Sequence, residues 1–176
     1  MYRDILYKKY LSSVNLTLVE LERNFDCGAP IQDEVISALP IDKSAKIIDI
    51  GCGYGAFLNA LKKKGYKNIS GVEIGDEQHR FLESKGIQIF KNDILNFLKK
   101  SSESYDLITL FDVLEHFNKN EIIELIPLLS QRLSKTGVLI VRVPNGEAIF
   151  KGSIMHGDFT HETFFTNRSI MQVFQA

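Results

Sequence analysis

Three glycines at alternate positions, Gly51, Gly53 and Gly55, follow a short apolar run, Ile47-Ile48-Asp49-Ile50, that one carboxylate interrupts. An amphipathic segment, Ala56 to Lys64, comes next. This is the pattern of a buried strand, a tight turn and a helix start. Glycine has no Cβ, so such a turn brings bare backbone N–H groups against a ligand at a helix N-terminus. Further along stand Glu73, the pair Asn92-Asp93 and the run Phe111-Asp112-Val113-Leu114-Glu115-His116. Last come Asp158, His161 and Glu162, set among Phe159, Phe164 and Phe165. Carboxylates and imidazoles in these last two groups are the residue types of proton transfer near neutral pH.

The turn alone does not name its ligand. Gly51-x-Gly53-x-x-Ala56 satisfies the alanine variant of the dinucleotide fingerprint. Glu73, 22 residues beyond Gly51, suits a two-pronged grip on ribose hydroxyls. NAD and S-adenosylmethionine both offer that ribose. Asp49 separates them. A carboxylate inside a nearly buried strand is costly unless paired or hydrogen-bonded. Beside a pyrophosphate it would also set negative charge against negative charge. Beside an amino-acid sulfonium ligand it can organise the loop and face the ammonium group, directly or through water. Asp93 can accept from an adenine amine, while a neighbouring backbone N–H donates to a ring nitrogen.

The elements that must position these residues alternate from Lys46 onward. Strands are expected at Lys46–Ile50, Asn68–Ile74, Ile87–Phe90, Tyr105–Phe111 and Val138–Val143. Helices are expected at Gly55–Lys64, Asp76–Ser84 with Asp76 as N-cap, Ile94–Lys100 and Asn120–Leu133. Pro127 should kink or interrupt the last of these, and Thr136-Gly137 should stop it. Strands separated by helices imply a parallel sheet covered on both faces, an α/β doubly wound fold. Ligands on such sheets sit at the carboxyl ends of the strands, where every candidate named above falls. Before Lys46, Ile5–Phe25 and Ile31–Leu39 read as helices that cap the cleft or cover a sheet face. After Val143 comes a glycine- and aromatic-rich stretch, then a helix from near Thr166.

Composition excludes several classes. The chain has 176 residues, 21 basic against 22 acidic, for a formal net charge of −1. That gives no long-range pull toward nucleic acid or an anionic membrane. Lys62-Lys63-Lys64 and Lys99-Lys100 fall at helix ends, where they complement the helix dipole. No apolar run reaches the ~18 residues of a membrane span. Two cysteines, Cys27 and Cys52, form neither a disulfide framework nor a zinc spacing, and a reducing cytoplasm is the expected compartment.

Taken together, these motifs resemble the class I S-adenosylmethionine-dependent methyltransferases, across about Lys46–Val143. Ile47–Gly55 looks like that family's first motif, Glu73 its ribose-binding acid, and Asn92-Asp93 its adenine pair. Tyr105–Phe117 resembles the Asp-Val-Leu-Glu-His segment of the small-molecule branch, which includes ubiquinone-type O-methyltransferases. Leu133–Val143 resembles the entry to the fifth strand, with Thr136 for the usual first glycine. The resemblance implies a single Rossmann-like domain, with a helical cap (1–45), a cofactor core (46–143) and a substrate-side lid (144–176). Its mostly parallel sheet would run in the order 3-2-1-4-5. The sixth and seventh strands of the family are missing from the sequence, so it reads as shortened at its C-terminal end. The fifth strand would then be an edge, covered by a loop or by a partner in a homodimer. The implied cofactor is S-adenosyl-L-methionine, leaving as S-adenosyl-L-homocysteine. The implied cofactor residues are Asp49, Gly51, Cys52, Gly53, Tyr54, Glu73, Ile74, Asn92, Asp93, Ile94, Phe111, Asp112, Val113 and His116.

The resemblance implies a hydroxyl of a small molecule as acceptor, and such a hydroxyl needs a base to take its proton. His116 shares a helical face with Asp112 four residues earlier and is one candidate. His161 with Asp158 is the other. Tyr54 and Phe111 are candidates for an aromatic face against the sulfonium. Asp158–Phe165 also looks similar to methyltransferases of bacterial surface polysaccharides, which points to a sugar or polysaccharide precursor. The site is expected to hold no metal, although Asp158, His161 and Glu162 could instead hold a divalent ion. A catalytically silent cofactor-binding module and an NAD-binding oxidoreductase are the competing readings.

Overall fold

The computed structural model describes residues 6–7, 16–27, 33–149 and 151–175. Five strands, β1 (Lys46–Ile50), β2 (Asn68–Glu73), β3 (Gln88–Lys91), β4 (Tyr105–Phe111) and β5 (Leu133–Arg142), form one parallel sheet. Their order is β3-β2-β1-β4-β5, as expected. Helices α1 (Leu18–Cys27) and α2 (Asp33–Ala38) precede the sheet. Helices α3 (Ala56–Lys63), α4 (Asp76–Ser84), α5 (Ile94–Lys100) and α6 (Lys119–Arg132) connect its strands. Helices α7 (Lys151–His156) and α8 (Asn167–Gln175) follow.

Strand alternation builds the two core layers. Ile48, Ile50, Ile108 and Leu110 face one way, against Leu98 of α5 and Leu125 and Leu129 of α6. Ile47 and Leu107 face the other way, against Phe57 and Leu61 of α3 and Tyr66. All twelve are buried, which is why β1 and β4 read as near-continuous apolar runs. α1 lies over α3: Phe25 is buried, and its carbonyl accepts a 2.7 Å bond from the Asn59 amide. The remainder of the expected helix Ile5–Phe25 lies outside the described residues, apart from 6–7 and 16–17.

Three local expectations are corrected. Gly75, not Asp76, is the N-cap of α4, and Asp76 sits in the first turn. α6 is not interrupted at Pro127. The carbonyl left without a donor belongs to Ile123, which is on the solvent side of the helix, where water can serve it. An Asn118–Glu121 capping box fixes the start of the same helix. Finally, β5 begins at Leu133 and ends at Arg142. Its pairing jumps from Tyr105↔Leu133 to Leu107↔Val138, so the residues between bulge out opposite Asp106. The Asp106 carboxylate holds this bulge, accepting from the Ser134 hydroxyl (2.8 Å) and the Lys46 N–H (2.9 Å). Gly137 is required there, because a Cβ would stand 2.7 Å from the Tyr105 carbonyl oxygen.

Among the described residues β5 pairs with β4 alone. One face is packed: Leu139, Val141 and Val143 join the cluster that includes Ile170 and Val173 of α8. No helix among the described residues is long and apolar enough to cross a membrane.

Candidate active site

A cavity of about 520 Å³ opens at the carboxyl ends of β1, β2 and β4. Gly51 and Gly53 form its floor, both at positive φ (71° and 53°). A Cβ on Gly51 would lie 2.5 Å from Val113 Cγ2, whereas one on Gly53 would meet nothing within 4 Å. The first glycine is therefore required by packing as well as by backbone conformation, and the second by backbone conformation and the space it leaves.

Glu73 ties this turn to the end of β2. One carboxylate oxygen accepts from the Gly53 N–H (2.9 Å), the other from the N–H groups of Ile74 (2.9 Å) and Gly75 (2.8 Å). Burial pushes its pKa up, against the pull of those N–H donors. Glu73 faces the cavity as well, so it is a strut of the cradle as well as a candidate ligand contact. Tyr54, Ile74, Asp93, Ile94, Phe111, Asp112, Val113 and His116 also line the cavity. Asp93 caps α5, accepting from the Asn96 N–H at 3.0 Å. Phe111 meets the edge of Phe57 and carries the Arg142 guanidinium 4.9 Å above its ring.

Three expected cofactor residues stand behind the lining. Asp49 is buried and accepts a 2.6 Å bond from the Thr109 hydroxyl. Burial lifts its pKa to about 7, with Thr109 opposing. Cys52 contributes backbone to the turn, while its thiol packs toward Gly71 and is pushed up in pKa by burial. Asn92 gives its N–H to the Glu73 carbonyl, 3.3 Å away.

On the acceptor side the expected pairings are rearranged. Asp112 and His116 do not form a set. Asp112 is at φ 55°, held by a two-pronged ion pair to Arg142, and Leu114–His116 is a 3₁₀ turn. His116 turns instead to the far loop: its Nδ1 is 2.8 Å from the Thr160 hydroxyl, which donates to Asp158 at 2.6 Å. His161 lies beside His116, with ring centroids 4.9 Å apart. The two candidate bases thus belong to one cluster. The loop is docked by backbone bonds, because the N–H groups of Glu162 and Thr163 both reach the Glu115 carbonyl (2.8 and 3.0 Å). Asp158, His161 and Glu162 do not converge as a metal set: Asp158 bonds Thr160, and Glu162 is exposed.

Sequence reading missed Glu115. It is 1% exposed, neither carboxylate oxygen has a hydrogen-bond partner, and burial raises its pKa to about 7. His161 Nε2 is 4.0 Å from it. Its place beside His116 in the quoted motif was the available signal. Also unread were Tyr7, Leu16, Gln78 and Phe117, which line the cavity, and Thr160. Gln78 is 3% exposed with its amide oxygen unpartnered, an acceptor left for whatever fills the cavity.

A parallel 3-2-1-4-5 sheet with a glycine turn after β1 and an acid closing β2 defines a class of nucleoside-cofactor-binding α/β proteins. Within that class, the Methyltransferase domain family matches residues 23–176, and the chain belongs to it. Its sheet is the Rossmann-like methyltransferase sheet. A SAM-dependent methyltransferase from Archaeoglobus fulgidus superposes with a TM-score of 0.69 at 23% identity, over 75% of this chain and 59% of that one. A ubiquinone biosynthesis O-methyltransferase of Saccharophagus degradans is 29% identical over 40% of this chain and 32% of its own length. That of Psychrobacter arcticus is 26% identical over 57% of this chain and 42% of its own. The chain thus matches less than half the length of either curated relative.

Proposed function

We propose that this chain binds S-adenosylmethionine in the cavity and directs its methyl group to a hydroxyl of a small molecule. The observation that carries the reading is continuity: one cavity runs from Gly51, Gly53 and Glu73 to His116. When bound, the cofactor supplies an electrophilic sulfonium methyl. The residues present fit it. Gln78 offers an unpartnered buried acceptor, Gly53 leaves room for close approach, and Glu73 and Asp93 are acids after the second and third strands. Phe111 and Tyr54 line the same space and offer aromatic surface to a cation.

His116 and His161 form the acceptor pole, where a hydroxyl must give up its proton. The Thr160 hydroxyl donates to Asp158, so it accepts from His116 Nδ1–H. That places the ring proton of His116 on Nδ1. Holding the tautomer in this way is a known device for aiming an imidazole. The ubiquinone biosynthesis relatives are O-methyltransferases by name, which supports an oxygen acceptor. The resemblance of Asp158–Phe165 to methyltransferases of bacterial surface polysaccharides supports a sugar among such acceptors.

Thermal shift with S-adenosylhomocysteine against NADH tests the donor. Stabilisation by the former is expected; stabilisation by NADH alone would overturn the reading. Transfer of labelled methyl to a panel of phenols, catechols and sugars then tests the acceptor.

A further inference from the structure

Buried polar groups are almost always hydrogen-bonded, and one that is not asks for a missing water or ion. Glu115 is the sharpest case among the described residues: both of its carboxylate oxygens lack a hydrogen-bond partner, and it is 1% exposed. It does not stand alone. One ligand atom each from Glu115, His116 and His161 lie within 4.8 Å of one another. The 4.0 Å between Glu115 Oε1 and His161 Nε2 is too long for a hydrogen bond. Two ligands at ~2.1 Å from a shared ion, in tetrahedral geometry, stand roughly 3.4 Å apart. The Glu115–His161 pair is therefore open by about 0.6 Å relative to a filled site.

The imidazoles are oriented as ligands. His161 Nδ1 is 3.1 Å from the Met155 carbonyl oxygen, an acceptor only, so Nδ1 carries the proton there. His116 Nδ1 donates to Thr160, which donates to Asp158. Both rings thus spend Nδ1–H on an oxygen, which makes Nε2 the unprotonated nitrogen of each. An N–H of a metal-binding histidine held by a carbonyl or a carboxylate-backed group is the usual outer shell of such sites.

We propose that Glu115, His116 and His161 bind a divalent first-row transition ion at the acceptor end of the cavity. Two imidazoles and one carboxylate suit zinc, manganese or ferrous iron better than magnesium or calcium, which prefer all-oxygen sets. His116 lines the cavity, so the remaining coordination positions open toward the acceptor. The proposal departs from the expectation of a metal-free site, and its ion shares only His161 with the alternative set Asp158, His161 and Glu162. It rests on the methyl-transfer reading for its role. There, the ion takes an acceptor hydroxyl oxygen, lowers its pKa and lets its proton leave to solvent. The alkoxide or phenolate oxygen then bonds to the methyl carbon as the carbon–sulfur bond breaks, its electron pair staying on sulfur. Acceptors with two adjacent oxygens, catechols or vicinal diols, fit an ion with two open positions.

The test is metal binding itself, on the full chain stripped with chelator. Calorimetry with Zn²⁺ and absorption with Co²⁺ are expected to report one equivalent. E115Q and H161A are each expected to weaken Zn²⁺ by more than about 100-fold, and T160V by about 10–100-fold through the aim of His116. H79A, remote from the cluster, is expected to bind as wild type. Retained stabilisation by S-adenosylhomocysteine certifies that each variant is folded. No stoichiometric Zn²⁺ or Co²⁺ on wild-type protein that still binds S-adenosylhomocysteine overturns the site, as does undiminished Zn²⁺ binding by both E115Q and H161A. Zn²⁺ binding without any response to S-adenosylhomocysteine upholds the metal site and overturns the methyl-transfer reading instead.

Discussion

Asp49 and Thr109 are register partners across the β1–β4 seam, and the Thr109 hydroxyl gives the Asp49 carboxylate a 2.6 Å hydrogen bond. Behind that bond the carboxylate is out of water. Glu73 on β2 raises its pKa further and Arg142 at the end of β5 lowers it, but burial dominates and sets it at about 7. The unfolded chain releases this proton near pH 4. The folded state keeps it until about 7, so the associated stability is full below the unfolded value and is lost as pH rises through the folded one. Thermal midpoints of the ligand-free protein are expected to fall between about pH 4 and pH 7 and to level off above. D49N is expected to make that fall shallower, with buried Glu115 and Glu73 supplying the rest. The same slope in D49N as in wild type would remove Asp49 as its source.

Gly51 and Gly53 are expected to respond differently to alanine. Both sit at positive φ, which costs an L-residue roughly 1–2 kcal/mol. G51A also drives a methyl into Val113, adding about 1–3 kcal/mol of overpacking. Chemical denaturation should rank G51A as the less stable of the two. Calorimetry with S-adenosylhomocysteine should show weakened binding in both, because each closes the backbone's approach to the ligand. Equal stability of the two variants would contradict the contact with Val113.

Loss of the Glu73 strut should loosen the turn itself. E73A leaves three backbone N–H groups without their acceptor. The expected destabilisation is about 2–4 kcal/mol, given that each bond to a carboxylate is worth roughly 1.5–3 and water replaces part of it. Hydrogen exchange at Gly53, Ile74 and Gly75 should accelerate relative to the centre of β4. Unchanged protection at Gly53 would show that the carboxylate does not hold the turn.

Thr160 acts on the acceptor pole through His116. T160V keeps the shape and removes the link to Asp158. Turnover is expected to drop by about 10–100-fold with donor affinity unchanged, and T160S should restore most of it. The pH–rate profile should shift in T160V and return in T160S. A fall in donor affinity matching the fall in turnover would mark Thr160 as merely structural.

Local pattern was readable, and long-range contact was not. β1 and β4 have the bounds expected from their apolar runs, because strands buried on both faces carry their environment in their composition. The cradle was legible for the same reason: Gly51, Gly53 and Glu73 act through backbone within a few residues of themselves. The regular part of β5 was legible from Val138, but its start at Leu133 was not, because the bulge between them is set by Asp106, a residue from another strand. Asp49 reads as a ligand contact until the Thr109 hydroxyl is seen beneath it. Glu115, Thr160 and His161 come together only when the loop after α7 lands on the 3₁₀ turn. No spacing in the chain encodes that landing.

Val113 Cγ2 stands where a Cβ of residue 51 would be, so the two positions cannot vary independently from one generation to the next. A larger residue in the turn survives only with a smaller one at 113, and position 113 leads directly into Leu114-Glu115-His116. A change at Gly51 is therefore carried through Val113 toward Glu115 and His116, where the loop around Thr160 docks.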